Sequence, residues 1–235
     1  MNPTLAAAFL RQRLTSPIRM GLLFLLATFP LGAAVITGTL SPLGGIAGPL
    51  ALILAAGAVG QDVSSGTLQL LLVRPVSRPS LVVSRWLAAT LAATAIVVAL
   101  LVLATLAMVV RGTHPDALDL IRMVLEAACN AAGSAAVILM LSTLVGGLGD
   151  VALYMAALFV GQMFSTLAEF KHWDWLSRAC EELQGALMPT LSWAWLVFHA
   201  PPSWFALASW ASTVTLALAV GIARLNRREL SYAAD

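Results

Sequence analysis

The most polar stretch in the first half of the chain, residues 62–86, carries its clearest candidates for chemistry. It reads DVSSGTLQLLLVRPVSRPSLVVSRW, and most of its neighbours are Ala, Leu and Val. Its charged side chains are one carboxylate and three guanidinium groups: Asp62, Arg74, Arg78 and Arg85. Guanidinium groups bind phosphates well, so this stretch could hold lipid headgroups if it lies beside a membrane.

A short amphipathic helix is predicted inside this stretch. Ser64 or Ser65 can cap it, and Pro75 should end it because proline disfavours helical geometry at the preceding residue. Its leucines recur at i, i+3 and i+4 on one face: Leu68, Leu71 and Leu72. On the residues alone, two interpretations stay open. The leucine face lies in lipid at the membrane surface, or it docks into the groove of a partner protein.

The composition requires a membrane around most of the chain. Of 235 residues, 60% are hydrophobic and 10% are charged, with a mean hydropathy of +0.91. A soluble domain has about 25% charged residues, so this surface would not stay dissolved in water. The net charge of +2 is too small to indicate nucleic acid as a partner. Cys129 and Cys180 are far apart and give no metal-ligand spacing or disulfide framework.

Six stretches are long and apolar enough to cross about 30 Å of hydrocarbon. The predicted spans are Met20–Leu40, Leu43–Gln61, Trp86–Val110, Ala127–Gly149, Val151–Ala168 and Ser203–Ala223. The first two are separated by a Ser41-Pro42 turn. We therefore expect an all-α integral membrane protein, with a lead at residues 1–19 and a single six-helix domain at residues 20–235.

The distribution of basic residues predicts that both termini are cytoplasmic, since Lys and Arg favour the inside. On this orientation the inside segments hold Arg11, Arg13, Arg19, Arg74, Arg78, Arg85, Arg224, Arg227 and Arg228. The outside segments hold Arg111, Arg122, Lys171 and Arg178. A cleaved signal peptide is the alternative interpretation of the N-terminus, but its apolar run is longer than usual and cleavage would spoil this charge bias.

Two further segments are predicted to lie at the membrane surface. Residues 1–19 form an amphipathic lead, with Arg11 and Arg13 projecting away from its apolar face; that face comprises Leu5, Phe9, Leu10 and Leu14. Residues 169–202 contain an apolar run, LMPTLSWAWLVF, that is too short to span comfortably. We expect short re-entrant or interfacial helices there, outside the cell, or a loop anchored by its tryptophans. A tail at residues 224–235 returns to the cytoplasm.

Few ionisable residues fall within the predicted spans. Arg122 and Glu126 are one helical turn apart at the start of the predicted fourth span and can form an intramembrane ion pair. Otherwise the spans are expected to lack buried carboxylates and lysines, which weakens a proton-relay mechanism. His114, His172 and His199 lie in separate loops, so no metal site is expected.

Catalysis within this chain is not expected. No G-x-x-x-x-G-K-[ST] phosphate loop occurs in the sequence, so no ATP site of that type is predicted. The adjacent Glu181 and Glu182 are similar to the glutamate pair of some membrane-embedded proteases. The arginine that should follow is missing from EELQGAL, and no Gly-x-Ser-Gly nucleophile is present. No catalytic or cofactor-binding residue is assigned.

The sequence SGTLQLLLVRPVSR resembles the loop after the second span of ABC-2 type exporter permeases. In that family an acidic residue, Gly-Thr-Leu, a leucine run and Pro-Val-Ser-Arg follow one another in this order. Here Asp62 takes the acidic position, where the family usually has Glu. The six-span plan, the N-terminal lead and the closing RLNRRELSYA extend the resemblance over most of the chain.

The resemblance implies the type V exporter (ABC-2) fold and a coupling helix within residues 62–80, which would dock to a separate ATPase subunit that binds ATP and Mg. The implied docking residues are Asp62, Ser64, Ser65, Gly66, Thr67, Leu68, Leu71 and Leu72; the implied rigid return is Arg74, Pro75, Ser77 and Arg78. It further implies a permease subunit of the inner (plasma) membrane that dimerises with itself or a relative. Apolar spans suit a lipid-like or hydrophobic substrate moved outward, but any bilayer helix has them.

Two other classes of function stay open. A secondary transporter or small channel would work alone and would usually need buried charge in its spans. A membrane anchor or scaffold subunit would have no transport path.

Overall fold

The computed structural model describes residues 3–64, 77–145, 149–198 and 203–227, and these residues form helices joined by turns and one extended segment, with no strand among them. The helices are α1 (Pro3–Leu14), α2 (Pro17–Thr37), a 3₁₀ turn (Ser41–Leu43), α3 (Ala47–Ala55), α4 (Gly60–Ser64), α5 (Arg78–Val110), α6 (Ala117–Leu144), α7 (Gly149–Lys171), α8 (Asp174–Leu187), α9 (Trp195–Phe198) and α10 (Trp204–Arg227).

Six of these segments are long and apolar enough to cross a membrane, which confirms the predicted number of spans. They are Pro17–Thr37, Ser41–Asp62, Arg78–Val110, Ala117–Leu144, Gly149–Lys171 and Trp204–Arg227. The third span begins at Arg78 and the fourth at Ala117, both earlier than predicted. Pro17 to Arg19 belong to α2 instead of the lead, because Pro17 occupies the first turn of that helix, where proline is tolerated.

The second and fourth spans form the centre of the bundle. In their most apolar windows 72% and 61% of residues are buried, against 17% in the first, fifth and sixth spans. Small side chains allow this close packing: a Cβ on Gly48 would lie 2.9 Å from Ser134 Oγ. The peripheral helices expose large apolar side chains, such as Phe29 at 81% and Phe159 at 71%. Such a surface fits lipid, so the chain is a multi-pass membrane protein.

An extended segment at residues 188–194 inserts against the middle of α6. Leu191 N donates to Asn130 Oδ1 at 3.2 Å, and Trp193 N donates to Glu126 Oε1 at 3.0 Å. Pro189 packs on Gly133, which is 16 residues from the start of α6 and 11 from its end. Non-helical backbone is tolerated at membrane depth only where protein groups satisfy it, and α6 supplies those groups. The outer-face location predicted for residues 169–202 stays a prediction.

Gly133→Ala is expected to lower the unfolding temperature in detergent, measured by tryptophan fluorescence. The new Cβ would lie 2.4 Å from Pro189 O and 2.8 Å from Pro189 Cγ, and such overpacking costs about 1–3 kcal/mol. Gly185→Ala is the matched control, since its Cβ would meet nothing within 4 Å. Equal unfolding temperatures for the two variants would show that Pro189 does not press on α6.

Candidate functional site: a polar cluster around the break in the second span

The second span is broken between α3 and α4. Helix α3 ends at Ala55, and α4 begins at Gly60 after a turn. Gly57 lies in the left-handed region at φ +64°, which glycine adopts without the steric penalty of a Cβ. At α-helical pitch the chain rises about 21 Å from Ser41 to Ala55, less than the roughly 30 Å of a hydrocarbon core. The break therefore occurs before this span has crossed a bilayer.

Two side chains accept hydrogen bonds from the backbone amides that lack helical partners at the break. Gly57 N donates to Asp150 Oδ2 at 2.6 Å. Val59 N and Gly60 N donate to Ser142 Oγ at 3.0 and 2.9 Å. Asp150 is fully buried at the start of α7, and Ser142 is fully buried near the end of α6. Ser142 and Asp150 are thus positioned by α6 and α7, the helices on either side of residues 146–148.

Three arginines bind the carbonyl oxygens of the same break. Arg13 Nη1 donates to Ala56 O at 2.8 Å, and Arg19 Nη2 approaches the same oxygen at 3.4 Å. Arg85 Nη1 donates to Ala58 O. Guanidinium groups suit this task because they present several donors in a fixed plane.

The same guanidinium groups also contact polar side chains of α4, while Arg13 Nε has no partner among the described residues. Gln61 Oε1 accepts from Arg13 Nη1 at 3.0 Å and from Arg19 Nη2 at 3.1 Å. Arg85 Nη2 forms a buried ion pair with Asp62 Oδ2. The break and the first turn of α4 are therefore held by one network, which we call the polar cluster: Arg13, Arg19, Gln61, Asp62, Arg85, Ser142 and Asp150.

The charges of the polar cluster nearly balance. Three guanidinium groups face two carboxylates, and the exposed fractions are 2% for Arg13, 5% for Arg85, 7% for Asp62 and zero for Asp150. Burial, and then the neighbouring Arg19 and Arg85, lower the pKa of Arg13 to about 10. Arg13 thus stays protonated at neutral pH. The guanidinium carbons of Arg13 and Arg85 also lie 5.0 and 5.7 Å from the centroid of the Phe9 ring, within cation–π range.

Two expectations from the sequence are wrong here. Arg13 does not project away from the apolar face of α1; it lies over Phe9 and points into the bundle, because the break offers it carbonyl partners that a helical pattern does not reveal. Buried carboxylates do belong to the spans, since Asp62 and Asp150, each one residue beyond the predicted bounds, lie inside the second and fifth candidate spans. The roles of Arg19, Ser142 and Asp150 were not predicted from the sequence. The glycine-rich stretch just before Asp150 was the available signal that the chain is irregular there.

The predicted coupling residues lie partly in and partly beyond the described structure. Asp62 faces Arg85 inside the bundle, and Ser64 is the last residue of α4. Ser77 precedes α5, and Arg78, its first residue, donates to Leu225 O at 3.1 Å and Asn226 O at 2.8 Å. The others fall outside the described residues: Ser65, Gly66, Thr67, Leu68, Leu71, Leu72, Arg74 and Pro75.

The predicted ion pair between Arg122 and Glu126 is replaced by other contacts. Arg122 Nη2 pairs with Asp119 Oδ1 at 2.6 Å. Glu126 Oε1 instead accepts from Trp193 N and, at 3.2 Å, from Ser192 Oγ. The extended segment supplies a backbone donor at this point, which the i, i+4 spacing within α6 could not indicate.

A metal centre is not formed by the described residues, among which no group of three or more His, Cys, Asp or Glu side chains could hold an ion. Both buried carboxylates of the polar cluster are already bonded, to Arg85 and to Gly57 N. The arrangement therefore stabilises an irregular backbone.

These features define a multi-pass helical membrane protein with an unwound second span. The chain belongs to a family of proteins of unknown function (DUF2705), whose model matches residues 5–177. No curated protein matches the chain. The matched range includes every residue of the polar cluster.

Arg85→Ala is expected to destabilise the fold strongly. It leaves the Asp62 carboxylate and the Ala58 carbonyl buried without their cationic partner, and breaking a buried ion pair costs about 3–5 kcal/mol. Thermal unfolding in detergent measures the effect. Arg11→Ala removes the same charge from an exposed position on α1 and serves as control. If both variants unfold at the same temperature, the ion pair does not stabilise the bundle.

Proposed function

We propose that this chain is the membrane-spanning permease subunit of an ATP-binding cassette exporter of the ABC-2 type. It moves a substrate, of which a lipid-like or hydrophobic molecule is the favoured class, out of the cell. A separate subunit binds ATP and Mg and hydrolyses the nucleotide. The protein lies in the inner (plasma) membrane with both termini in the cytoplasm, and it works as a homodimer or with a related permease.

The observation that carries this proposal is the SGTLQLLLVRPVSR loop together with the anchoring of its two ends. At the N-terminal end, Asp62 is paired with Arg85 of α5. At the C-terminal end, Arg78 donates to the last carbonyls of α10. A basic side chain at a helix C-terminus is favoured by the helix dipole. A push on this loop would therefore reach the second, third and sixth spans directly.

The location of the loop supports a cytoplasmic docking role. Residues 65–76 join α4 to α5, and the polar cluster, which includes Arg13 of α1, bonds Gln61 and Asp62 of α4. This end of the bundle collects Arg13, Arg19, Arg78 and Arg85, and basic residues favour the cytoplasmic side. An ATPase subunit binding there would sit beside α1 as well as on the loop.

A secondary transporter is the second candidate, because the broken second span favours it. Transporters of that class bind substrates and ions at unwound helices. Here the freed carbonyls are bonded to arginines and the freed amides to Asp150 and Ser142, so the chain itself fills the positions that an ion or substrate would take. Reconstituted vesicles separate the two candidates: transport driven by ATP with the partner ATPase supports the exporter, and transport driven by an ion gradient without it supports the transporter.

Substitution of Leu68 and Leu72 by alanine is expected to release the ATPase subunit. Loss of two apolar anchors from a docking helix typically costs about 1–2 kcal/mol each or more, so retention should fall at least about tenfold. The measurement is the amount of ATP-binding subunit that copurifies with the tagged chain from its native host, by quantitative mass spectrometry.

The matched control for this experiment is the double variant Leu91→Ala and Leu106→Ala, whose leucines on α5 are 59% and 57% exposed. These positions face lipid, so the ATPase subunit should stay bound. Purification of the unsubstituted chain without any ATP-binding protein would contradict the proposal, as would equal retention in both double variants.

A further inference from the structure

The break in the second span is imposed by tertiary contacts. No proline lies between Ala55 and Asp62, where the sequence reads AAGAVGQD. Ala, Val and Gln are all compatible with a helix, and Gly57 and Gly60 only weaken one. Sharp helix kinks are almost always found at proline, at Gly/Ser pairs, at π-bulges or where a side chain or water enters the hydrogen-bond ladder. Here Gly57 permits the left-handed turn, and side chains from other helices bond the freed amides.

A continuous helix is a second way in which the backbone of the same segment could be satisfied. In it Gly57, Val59 and Gly60 would donate to carbonyls one turn earlier, so the backbone would satisfy itself without Asp150 and Ser142. The arginines would then lose their carbonyl partners, while Asp62 and Asp150 would remain available to pair with them. In the observed form side chains bond the freed backbone groups, and in the continuous form the backbone would bond itself. Two such alternatives are the condition for a two-state element.

Helix α1 reaches the break through Arg13. Among the seven residues of the polar cluster, Arg13 alone lies outside the candidate spans. It occupies Ala56 O and Gln61 Oε1 and is 2% exposed. A cavity of about 190 Å³ separates parts of α1 from the bundle; it is lined by Leu5, Ala8, Phe9, Gln12, Asp62, Leu81 and Arg85. A helix docked over a cavity is held less firmly than the close-packed spans beneath it.

We propose that the second span switches between a broken and a continuous form and that α1 is its latch. Docked α1 places Arg13 on the break and stabilises the broken form. Undocked α1 releases Ala56 O and permits the continuous form, which shortens the span and moves Asp62. Because the coupling is reciprocal, any change that favours the continuous form must also weaken α1 docking. This device goes beyond the proposed function and does not depend on it.

Two spin-label pairs test the switch by pulsed EPR on the full chain in nanodiscs, in a Cys129→Ala/Cys180→Ala background. The first pair reports α1 docking: Ala7→Cys on α1 and Leu91→Cys on α5, both exposed positions. The second pair reports the shape of the second span: Ser41→Cys and Ser64→Cys, one at each end. Each pair is measured with and without a change in the latch or in the break.

Gly57→Ala changes the break without touching α1. It penalises the left-handed conformation and favours a helix, which together should shift the balance toward the continuous form on the order of tenfold or more. Both label pairs should respond. The distance between the labels at 41 and 64 should show a second population, and the distribution of distances between the labels at 7 and 91 should become longer or broader. Gly45→Ala is the control, since its Cβ meets nothing within 4 Å, and it should change neither distance.

Arg13→Ala changes the latch without touching the break, and it should shift the same two distances in the same directions. Arg13→Lys should give intermediate shifts, and the exposed Arg11→Ala should give none. The proposal is wrong if Gly57→Ala changes only the second-span distance, or if Arg13→Ala changes only the distance between α1 and α5. It is also wrong if Gly57→Ala unfolds the protein instead of producing a second distance population, because the break would then be a fixed element.

Discussion

The structure depends on one constraint: backbone groups released inside a membrane bundle must find partners within the protein. The second span releases such groups at residues 56–60, and side chains from α1, α2, α5, α6 and α7 bind them. Because each of those helices contributes a partner, the position of each is tied to the break. Arginines that would be costly alone in this setting are stabilised by carbonyls and carboxylates.

Helix α6 supports both irregular segments of the molecule. Near its C-terminal end, Ser142 accepts from the broken second span. Nearer its other end, Asn130 and Glu126 accept from the extended segment at residues 188–194. The fourth span therefore connects the end of the bundle that carries α1 with the segment before the last span. Movement of either irregular segment must be accommodated by α6, which is among the most buried elements.

The six spans could be predicted from the sequence, because length and hydropathy alone decide which segments suit a bilayer. The break could not, since AAGAVG lacks proline and its small residues are equally typical of a packed helix. Arg13 was placed away from the apolar face of α1 because helical periodicity assigns a residue to a face of its own helix and says nothing of a neighbour's carbonyls. Glu126 was paired with Arg122 for the same reason: its partner, Trp193 N, is distant in sequence.

Hydrogen exchange at individual amides of the second span, in nanodiscs, tests most directly whether side chains hold the break. In the unsubstituted chain the amides of Gly57, Val59 and Gly60 should exchange slowly. Ser142→Ala should accelerate exchange at the amides of Val59 and Gly60. The amide of Gly57, which is bonded to Asp150, should stay protected. Fast exchange of all three amides in the unsubstituted chain, or no difference on removal of the Ser142 hydroxyl, would contradict the account.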